Sequence, residues 1–486
     1  MSPDDGIGPA NPGFEAPERR TKVVATVGPA SREEEMLVAL IRAGADVFRL
    51  NFSHGTAADH AENIRRIRAA SETTGKWVGI LGDLPGPKLR LGEVHGDVVR
   101  IRSDTRLELT TEECVGDESR LPVSFDSLPA AVSEGDPIFL ADGRIRLRAV
   151  SVGDRSVECE VETGGSVASH QGVNLPGAVE GMPAAGASDM DWVEFALDHE
   201  VDLLAVSFVR SADDLVPVNE MIRGRGADIP LIAKIEKPQA LEATEEIIEE
   251  ATSGIMVARG DLGIELPIEE MAPTQKRLIR LAGSMSKPAI TATQMLASMV
   301  DSDRPTRAEV TDVANAIYDG TDAVMLSEET AVGANPLEAV RMMDRIAGKT
   351  ERDLPYEHWL RERVANTGDV AGAVAQSAVA ATYRLDVKAI VVPTRSGRTA
   401  RLVSALRPRV PIVAVSPRKE TVRRLNLLFG VRCHFHDEWE ELRALLDDSA
   451  QIAKELGVAK AGDLVAITAG LGDLGLGTNL FEIHRV

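Results

Sequence analysis

The stretch "LIAKIE", Leu231–Glu236, decides the fold. Leu231, Ile232, Ala233 and Ile235 read as a short buried strand, into which Lys234 and Glu236 place two opposite charges. Side chains alternate faces along a strand, so residues two apart, such as Lys234 and Glu236, project the same way. Taken alone, such a pair reads first as a solvated surface ion pair, which contributes little. The surrounding sequence has to decide between that and a site.

Working outward, seven further apolar runs of similar length share the rhythm: "KVVATV" (22–27), "DVFRLNF" (46–52), "WVGILGD" (77–83), "DLLAVSF" (202–208), "GIMVAR" (254–259), "PAITAT" (288–293) and "DAVMLS" (322–327). Stretches of helical period lie between them, such as "SREEEMLVALIRAG", read as opened by Ser31 as N-cap with acids in the first turn. Strands alternating with helices imply a parallel sheet, and eight units imply a closed (β/α)₈ barrel. The rhythm stops after the third strand. There "VVRIRS", "RLELT", "DPIFLADGRIRLRAV" and "SVECEVET" follow one another with Gly and Asp turns and no useful amphipathic helix. This predicts a tail over 1–20, a barrel over 21–87 and 185–350, an inserted all-β lid, itself a small β-barrel, over 88–184, and a C-terminal α/β domain over 351–486. The last rests on "VKAIVVPT", "VPIVAVS" and "DLVAITAG".

Composition sets limits on function. A chain of 486 residues with 44% hydrophobic and 27% charged residues can bury more than one core. Its net charge of −22 repels nucleic acid and anionic membranes, so an anionic substrate needs a local cluster of cations. Cys114, Cys159 and Cys433 are too few and too far apart for a disulfide frame or a CxxC metal site, which fits a reducing cytoplasm. The start, "MSPDDGIGPANPGFEAPERR", lacks the basic and apolar runs of a signal peptide and reads as a disordered tail. No run approaches the ~20 apolar residues of a membrane span.

Polar groups gather at one end of the strands, as catalytic groups do in such barrels. The second strand ends in "RLNFSHG", with Arg49, Asn51 and Ser53 on one side and His54 following. The third ends in Asp83, the fourth in Ser207, the fifth in Lys234 and Glu236, the sixth in "ARGDLG", the seventh in Thr293 and the eighth in "SEET". Glu236 and Asp261, from adjacent strands, suit the oxygen preference of Mg²⁺, with waters and phosphate oxygens completing the shell. They could equally form an acid pair neutralised by Arg259. On the metal reading, Gly260 leaves backbone N–H groups free for an anion, and Lys234 points a cation at the group the metal touches. That arrangement stabilises charge on a transferring phosphoryl group. Neither a P-loop nor a GxGxxG followed by HRD is present.

Several long, ordered segments resemble the pyruvate kinase family from Thr21 onward: "TKVVATVGPAS", "AGADVFRLNFSHG", "KIE", "IMVARGDLGIELP", "ATQMLASM" and "PTRAEVTDVANAIYDGTDAVMLSEETAVGANPLEAV". The resemblance implies a barrel, a mobile β lid, a C-terminal regulatory domain, a homotetramer, and glycolytic phosphoryl transfer from phosphoenolpyruvate to ADP with Mg²⁺ (or Mn²⁺). It makes Lys234 the lysine at the phosphoryl group, and Glu236 and Asp261 the metal ligands. It places Arg49 on phosphate, Gly260, Asp261 and Thr293 on the substrate carboxylate, and Asn51, Phe52, Ser53, His54 and Arg90 against the nucleotide.

The departures from the family pattern are specific. After the third strand the chain reads "GDLPGPKLRL", with Lys88 where many members have Glu. In Glu-bearing members a K⁺ ion is held by groups matching Asn51, Ser53, Asp83 and the Leu84 carbonyl. Lys88 can supply that charge covalently, and Leu84 and Leu91 replace the threonines usual in K⁺-dependent members, so the expectation is activity without K⁺. Gln171 stands where a nucleotide-contacting lysine is usual, Ala141 where an acid is common, and "GASDMD" replaces a TEKD-like segment. All three changes weaken lid or nucleotide contacts. "TRSGRTA" offers Thr394, Ser396, Gly397, Arg398 and Thr399 as a phosphate cradle at a helix start, where the family binds phosphorylated effectors, with "GLGDLGLGTN" (470–479) as the facing loop. Two other readings are a carbon–carbon lyase of the phosphoenolpyruvate-binding barrels and a non-catalytic sensor.

Overall fold

The computed structural model describes residues 19–87, 89–141, 143–175, 183–251, 253–363, 368–439, 441–470 and 477–486. The eight expected strands are all present: β1 Lys22–Thr26, β2 Val47–Asn51, β3 Gly79–Asp83, β4 Leu203–Val206, β5 Leu231–Ile235, β6 Gly254–Ala258, β7 Ala289–Ala292 and β8 Ala323–Leu326. Each pairs in parallel with its neighbours, and β1 meets both β2 and β8, so the barrel is closed. Its strands are almost wholly buried because helices cover the outside while side chains fill the inside. Val24, Val47, Leu81, Ala205, Ile232, Met256, Ile290 and Met325 pack together in the interior. Residues one position along, such as Phe48, Ile80, Ala233 and Ile255, pack outward against the helices.

Local signals set some helix ends. Thr56 and Asp59 form a reciprocal capping box before the helix Ala57–Thr74, and Gly75 ends it in the left-handed conformation at φ 64°. Ser31 does not act as the expected N-cap. Its hydroxyl accepts from the Gly28 N–H at 3.2 Å within a turn, and the helix begins only at Glu34. The acids in the first turn, Glu34 and Glu35, are as read.

The insertion forms a seven-stranded sheet in the order Leu89–Arg90, Gly172–Asn174, Pro137–Leu140, Ile145–Val152, Ser156–Thr163, Arg106–Thr110 and Arg120–Pro122. A separate ribbon pairs Val98–Ile101 with Gly165–Ala168. The two edges of this sheet meet, for the Ser124 N–H donates to the Arg90 carbonyl and the Gly92 N–H to the Pro122 carbonyl, both at 2.8 Å. The C-terminal sheet has five strands: β9 Val387–Pro393, β10 Ile412–Ser416, β11 Val431–Phe435, β12 Leu464–Ala469 and β13 Leu480–Arg485. Their order is β11-β10-β9-β12-β13, with β13 antiparallel. Among the described residues no helix is long and apolar enough to cross a membrane.

The C-terminal domain docks on the barrel end opposite the polar strand tips. Leu427 inserts into the interior cluster and plugs that mouth. Arg407, 1% exposed, makes a two-pronged bond to Asp322 at 2.7 and 2.9 Å and lies 4.4 Å over the Phe429 ring. Arg423 reaches Asp202 at 2.6 Å. Asp322 and Asp202 stand immediately before β8 and β4, so the strand starts are the anchor points. Arg407→Leu leaves Asp322 buried without its guanidinium and is expected to cost about 3–5 kcal/mol. Arg341→Leu, which loses only an exposed pair with Glu338, is expected to cost under ~1 kcal/mol. Urea denaturation of both variants beside the parent chain checks the contrast, and similar losses would contradict it.

Candidate active site

The polar strand tips form one hydrogen-bonded layer above the apolar interior. On β5, Ile232 faces the interior, so Lys234 and then Glu236 stand above it on the same face. On β2 and β3, Val47 and Leu81 place Arg49 and Asp83 in the same way. The Thr26 hydroxyl donates to the Leu326 carbonyl at 2.8 Å and faces Arg49 Nη1 at 3.2 Å. Arg49 Nε donates to Asp83 Oδ2 at 2.6 Å. Lys234 Nζ lies 3.3 Å from Asp83 Oδ1 and 2.9 Å from Glu236 Oε1, and donates to Ser207 Oγ at 2.7 Å. Ser207 in turn donates to the Leu84 carbonyl at 2.7 Å. The pair quoted at the outset is therefore buried and networked, and the surface reading falls.

The electrostatics follow from burial and neighbours. Burial acts to lower the Lys234 pKa, but Asp83 and Glu236 outweigh it and hold the ammonium protonated well above its ordinary range. Burial acts to raise the Asp83 carboxyl, and Lys234 and Arg49 pull it below its usual value. Glu236 goes the other way: burial pushes it up, Lys234 opposes, and the Asp261 carboxylate adds to the push. Glu236 Oε2 accepts from the Phe208 N–H at 2.8 Å, while buried Oε1 is met only by the Lys234 ammonium, at 2.9 Å. Phe208 adopts φ 56°, an uncommon left-handed conformation for a non-glycine residue, in the turn that aims its N–H at Glu236.

Asp261 lies in the first turn of the helix Arg259–Glu265, which follows β6 directly. Arg259 is committed elsewhere: it pairs with Asp312 at 2.6 Å and donates to the Thr293 carbonyl at 2.8 Å. This weighs against the reading in which Arg259 neutralises the two acids. Thr293 also has positive φ, 68°, and its hydroxyl accepts from the Gly260 N–H at 2.7 Å. One pair escaped the sequence reading. Lys237 and Glu265, nearly fully buried, meet at 2.5 Å and tie the end of β5 to the end of the helix carrying Asp261. The signal was a second lysine directly after Glu236, facing an acid one helical turn beyond Asp261. Leu89 and Leu175 of the insertion share a small cavity with Phe208, Lys237 and Asp261, so the insertion overhangs this end of the barrel.

The other expected residues divide. Asn51 Oδ1 accepts from the Ser53 N–H at 3.2 Å. His54 is exposed, and its carbonyl meets His60 Nε2 at 2.8 Å. Arg90 donates to the His170 carbonyl at 3.1 Å. Phe52, expected against the nucleotide, has its side chain buried and stacked on Trp192 at 4.6 Å between ring centroids. In the period-two alternation it opposes Arg49 and Asn51, so its ring goes to the helix layer. Gln171 Oε1 accepts from the Ala168 N–H at 2.8 Å within its own loop. Lys88 lies outside the described residues. In the C-terminal domain, Thr394, Ser396, Arg398 and Thr399 line a cleft of about 480 Å³ with Trp439, Gly477 and Thr478. Gly397, at φ 81°, donates its N–H to Thr394 Oγ1 at 3.0 Å. Residues 471–476 of the facing loop lie outside the described residues.

The family model for the pyruvate kinase barrel domain matches residues 18–340, and that for the pyruvate kinase alpha/beta domain matches residues 372–484. The chain belongs to the pyruvate kinase family. It is a transferase of that family. The pyruvate kinase of Thermococcus litoralis is 43% identical over 481 residues, covering 97% of this chain and 100% of the relative. That of Thermotoga maritima is 40% identical over 469 residues, covering 96% and 100%. The crystal structure of a pyruvate kinase from Cryptosporidium parvum superposes with a TM-score of 0.90 at 35% identity, covering 96% of each chain.

The raised pKa of Glu236 has a thermodynamic sign. The native state holds that proton more tightly than the unfolded chain, so the stabilisation from protonation grows as pH falls through the raised value and is absent above it. Glu236→Gln imitates the protonated form and is expected to raise the melting temperature of the metal-free protein at neutral pH. Scanning calorimetry in chelator measures it, and a lowered melting temperature contradicts the account.

Proposed function

We propose that the chain transfers the phosphoryl group of phosphoenolpyruvate to ADP, giving pyruvate and ATP in cytoplasmic glycolysis, with Mg²⁺ (or Mn²⁺) held by Glu236 and Asp261. The observation that carries this reading is the buried Glu236 Oε1, which meets only the Lys234 ammonium, at 2.9 Å, while the Asp261 carboxylate lies near enough to act on the same group. A carboxylate oxygen left in that state suits a hard cation. Among the described residues no three acids, histidines or cysteines gather into a closed cage, which suits an ion that takes only one or two protein carboxylates. When bound, the ion supplies positive charge to the phosphoryl oxygens.

The chain's own groups supply the rest. Lys234, held from three sides by Asp83, Glu236 and Ser207, keeps its proton and stands where charge spreads on the transferring group. Arg49 is oriented by Asp83 and Thr26 through Nε and Nη1, which leaves Nη2 for phosphate. The Gly260 and Asp261 backbone and the Thr293 hydroxyl hold the substrate carboxylate. The enolate proton arrives through water near Thr293. Asn51, Ser53, His54 and Arg90 face the nucleotide, with Phe52 contributing only backbone. Gln171, turned onto its own loop, offers ADP no cation, so nucleotide binding is weaker than with lysine there, or another diphosphate is accepted. Residues 394–399 take a phosphorylated effector, and the assembly is a homotetramer.

We infer further that Lys88 replaces K⁺. Asn51, Asp83 and the Leu84 carbonyl each already have a partner within the chain, which lessens the need for an added cation.

Lys234→Met is expected to lower kcat by about 10²–10³-fold or more with little change in phosphoenolpyruvate affinity, because the ammonium acts mainly on charge developed during transfer. ATP and pyruvate, followed together with Mg²⁺ and ADP, measure it, and intact turnover would sink the assignment. In tetramethylammonium buffer the rate is expected to be the same with and without KCl. A large activation by KCl would remove the role given to Lys88.

A further inference from the structure

The insertion joins the barrel by two crossings, one after β3 and one before the helix Ala187–Asp198, and both meet at a single carboxylate. Asp189 is 4% exposed. Its Oδ1 accepts from the Gly86 N–H at 2.8 Å, and its Oδ2 from the Gly186 N–H at 2.9 Å. The second bond is an ordinary helix cap, in which an acid in the first turn returns to the residue before the helix. The first is not, because Gly86 lies 103 residues earlier, on the other crossing. A carboxylate buried to this depth is costly unless its oxygens are bonded, and here each oxygen takes its donor from a different crossing. Asp189 belongs to "GASDMD", a segment to which the proposed chemistry gives no role.

The first crossing is also fitted to the floor of the site. Leu84 donates its N–H to the Ala205 carbonyl at 2.9 Å, and its carbonyl accepts from Ser207 Oγ at 2.7 Å. Gly86 follows at φ 66°, and a Cβ there would stand 2.8 Å from the Phe208 ring and 2.9 Å from Ser207 Cβ. Glycine alone permits that approach in that conformation. Ser207 and Phe208 are the residues that bond Lys234 and Glu236. Soon after Gly86 the chain enters the insertion at Leu89 and Arg90. Pro87 of this crossing and Ala184 of the other border the same cavity as Phe208 and Asp261.

We propose that Asp189 is a positioning residue for phosphoryl transfer: by holding both crossings it sets the insertion, and with it Arg90, over the barrel end that carries Lys234 and Glu236. This rests on the transfer reading given above. Asp189 acts through Gly86 and Gly186 and not on a substrate. The two substrates feel it unequally. The groups given to phosphoenolpyruvate, namely Arg49, Lys234, Gly260, Asp261 and Thr293, all stand on the barrel, whereas the nucleotide is also given Arg90 on the insertion. With one of the two bonds gone, each crossing moves without the other, so the insertion loses its register over the nucleotide while the barrel contacts stay in place.

Asp189→Asn tests it, since the amide presents an oxygen to one of the two N–H groups and a donor to the other. Calorimetric titration of the full chain with ADP and Mg²⁺ and, separately, with phosphoenolpyruvate and Mg²⁺ compares the variant with the parent. The dissociation constant for ADP is expected to rise about tenfold, and that for phosphoenolpyruvate to change by less than about twofold. Unchanged ADP affinity, or equal weakening of both ligands as a merely loosened fold gives, overturns the proposal. Hydrogen exchange on the parent chain serves if the variant does not fold. Added ADP is expected to slow exchange at Gly86 and Gly186 together, and slowing at one alone or at neither overturns it. A parent chain that forms no ATP from phosphoenolpyruvate and ADP removes the transfer reading and this proposal together, whereas an active parent and an Asp189→Asn variant of equal ADP affinity remove this proposal alone.

Discussion

The site depends on one buried contact set, in which the Lys234 ammonium sits between the carboxylates of Asp83 and Glu236. Removing three charges from water is expensive, and mutual attraction offsets that only when geometry and extra hydrogen bonds are good. Here Arg49 satisfies one oxygen of Asp83, Phe208 N–H satisfies one oxygen of Glu236, and Ser207 Oγ accepts a hydrogen bond from Lys234. The second oxygens of Asp83 and Glu236 have only the Lys234 ammonium beside them, at 3.3 and 2.9 Å, and of the two it is Glu236 that also feels the Asp261 carboxylate. The opposite pKa directions of Asp83 and Glu236 express the same asymmetry, since one carboxylate has two cations and the other shares one cation with Asp261.

Backbone conformation at the strand ends serves that layer. Phe208, Thr293 and Gln294 adopt left-handed conformations that non-glycine side chains resist. Phe208 does so in the turn that gives Glu236 its N–H, and Thr293 in the turn that brings its hydroxyl to Gly260. Arg259 fastens Thr293 from behind through its carbonyl, while Lys237 and Glu265 close the far end of the helix bearing Asp261. The acid at 261 and the acid at 236 thus belong to elements joined by the Lys237–Glu265 pair and by the β5–β6 ladder, and their separation is set before any ligand arrives.

The barrel was legible because each strand is a short buried run bounded by turn residues, a pattern tertiary context seldom disguises. Strand-end alternation located Lys234, Glu236, Arg49 and Asp83. Applied one residue further, it would have turned Phe52 outward. β11 and β13 escaped because "VRCHF" and "LFEIHR" interleave charged and apolar residues on half-buried positions and lack a clear period. Ser31 misled because a serine before acids and an apolar face also fits a tight turn that precedes the helix. Asp46, Asp202 and Asp322, each the first residue of a quoted run and given no role there, are anchors for arginines elsewhere in the chain, and no local pattern names such partners.

Those anchors give the two ends of the barrel a shared mechanical basis. Asp202 begins β4, which leads to Ser207, and Asp322 begins β8, whose last carbonyl accepts from Thr26. Each connection is a strand of four residues, fully hydrogen-bonded on both sides and packed inside and out, so it moves as a unit or not at all. Arg423 and Arg407 therefore grip, through one short rigid element each, the same strands whose far ends orient Lys234 and Arg49. A shift of the C-terminal domain against the barrel has to break a buried ion pair or carry a strand with it. The first is costly, so the two buried pairs hold the domain and these strands in one fixed relation.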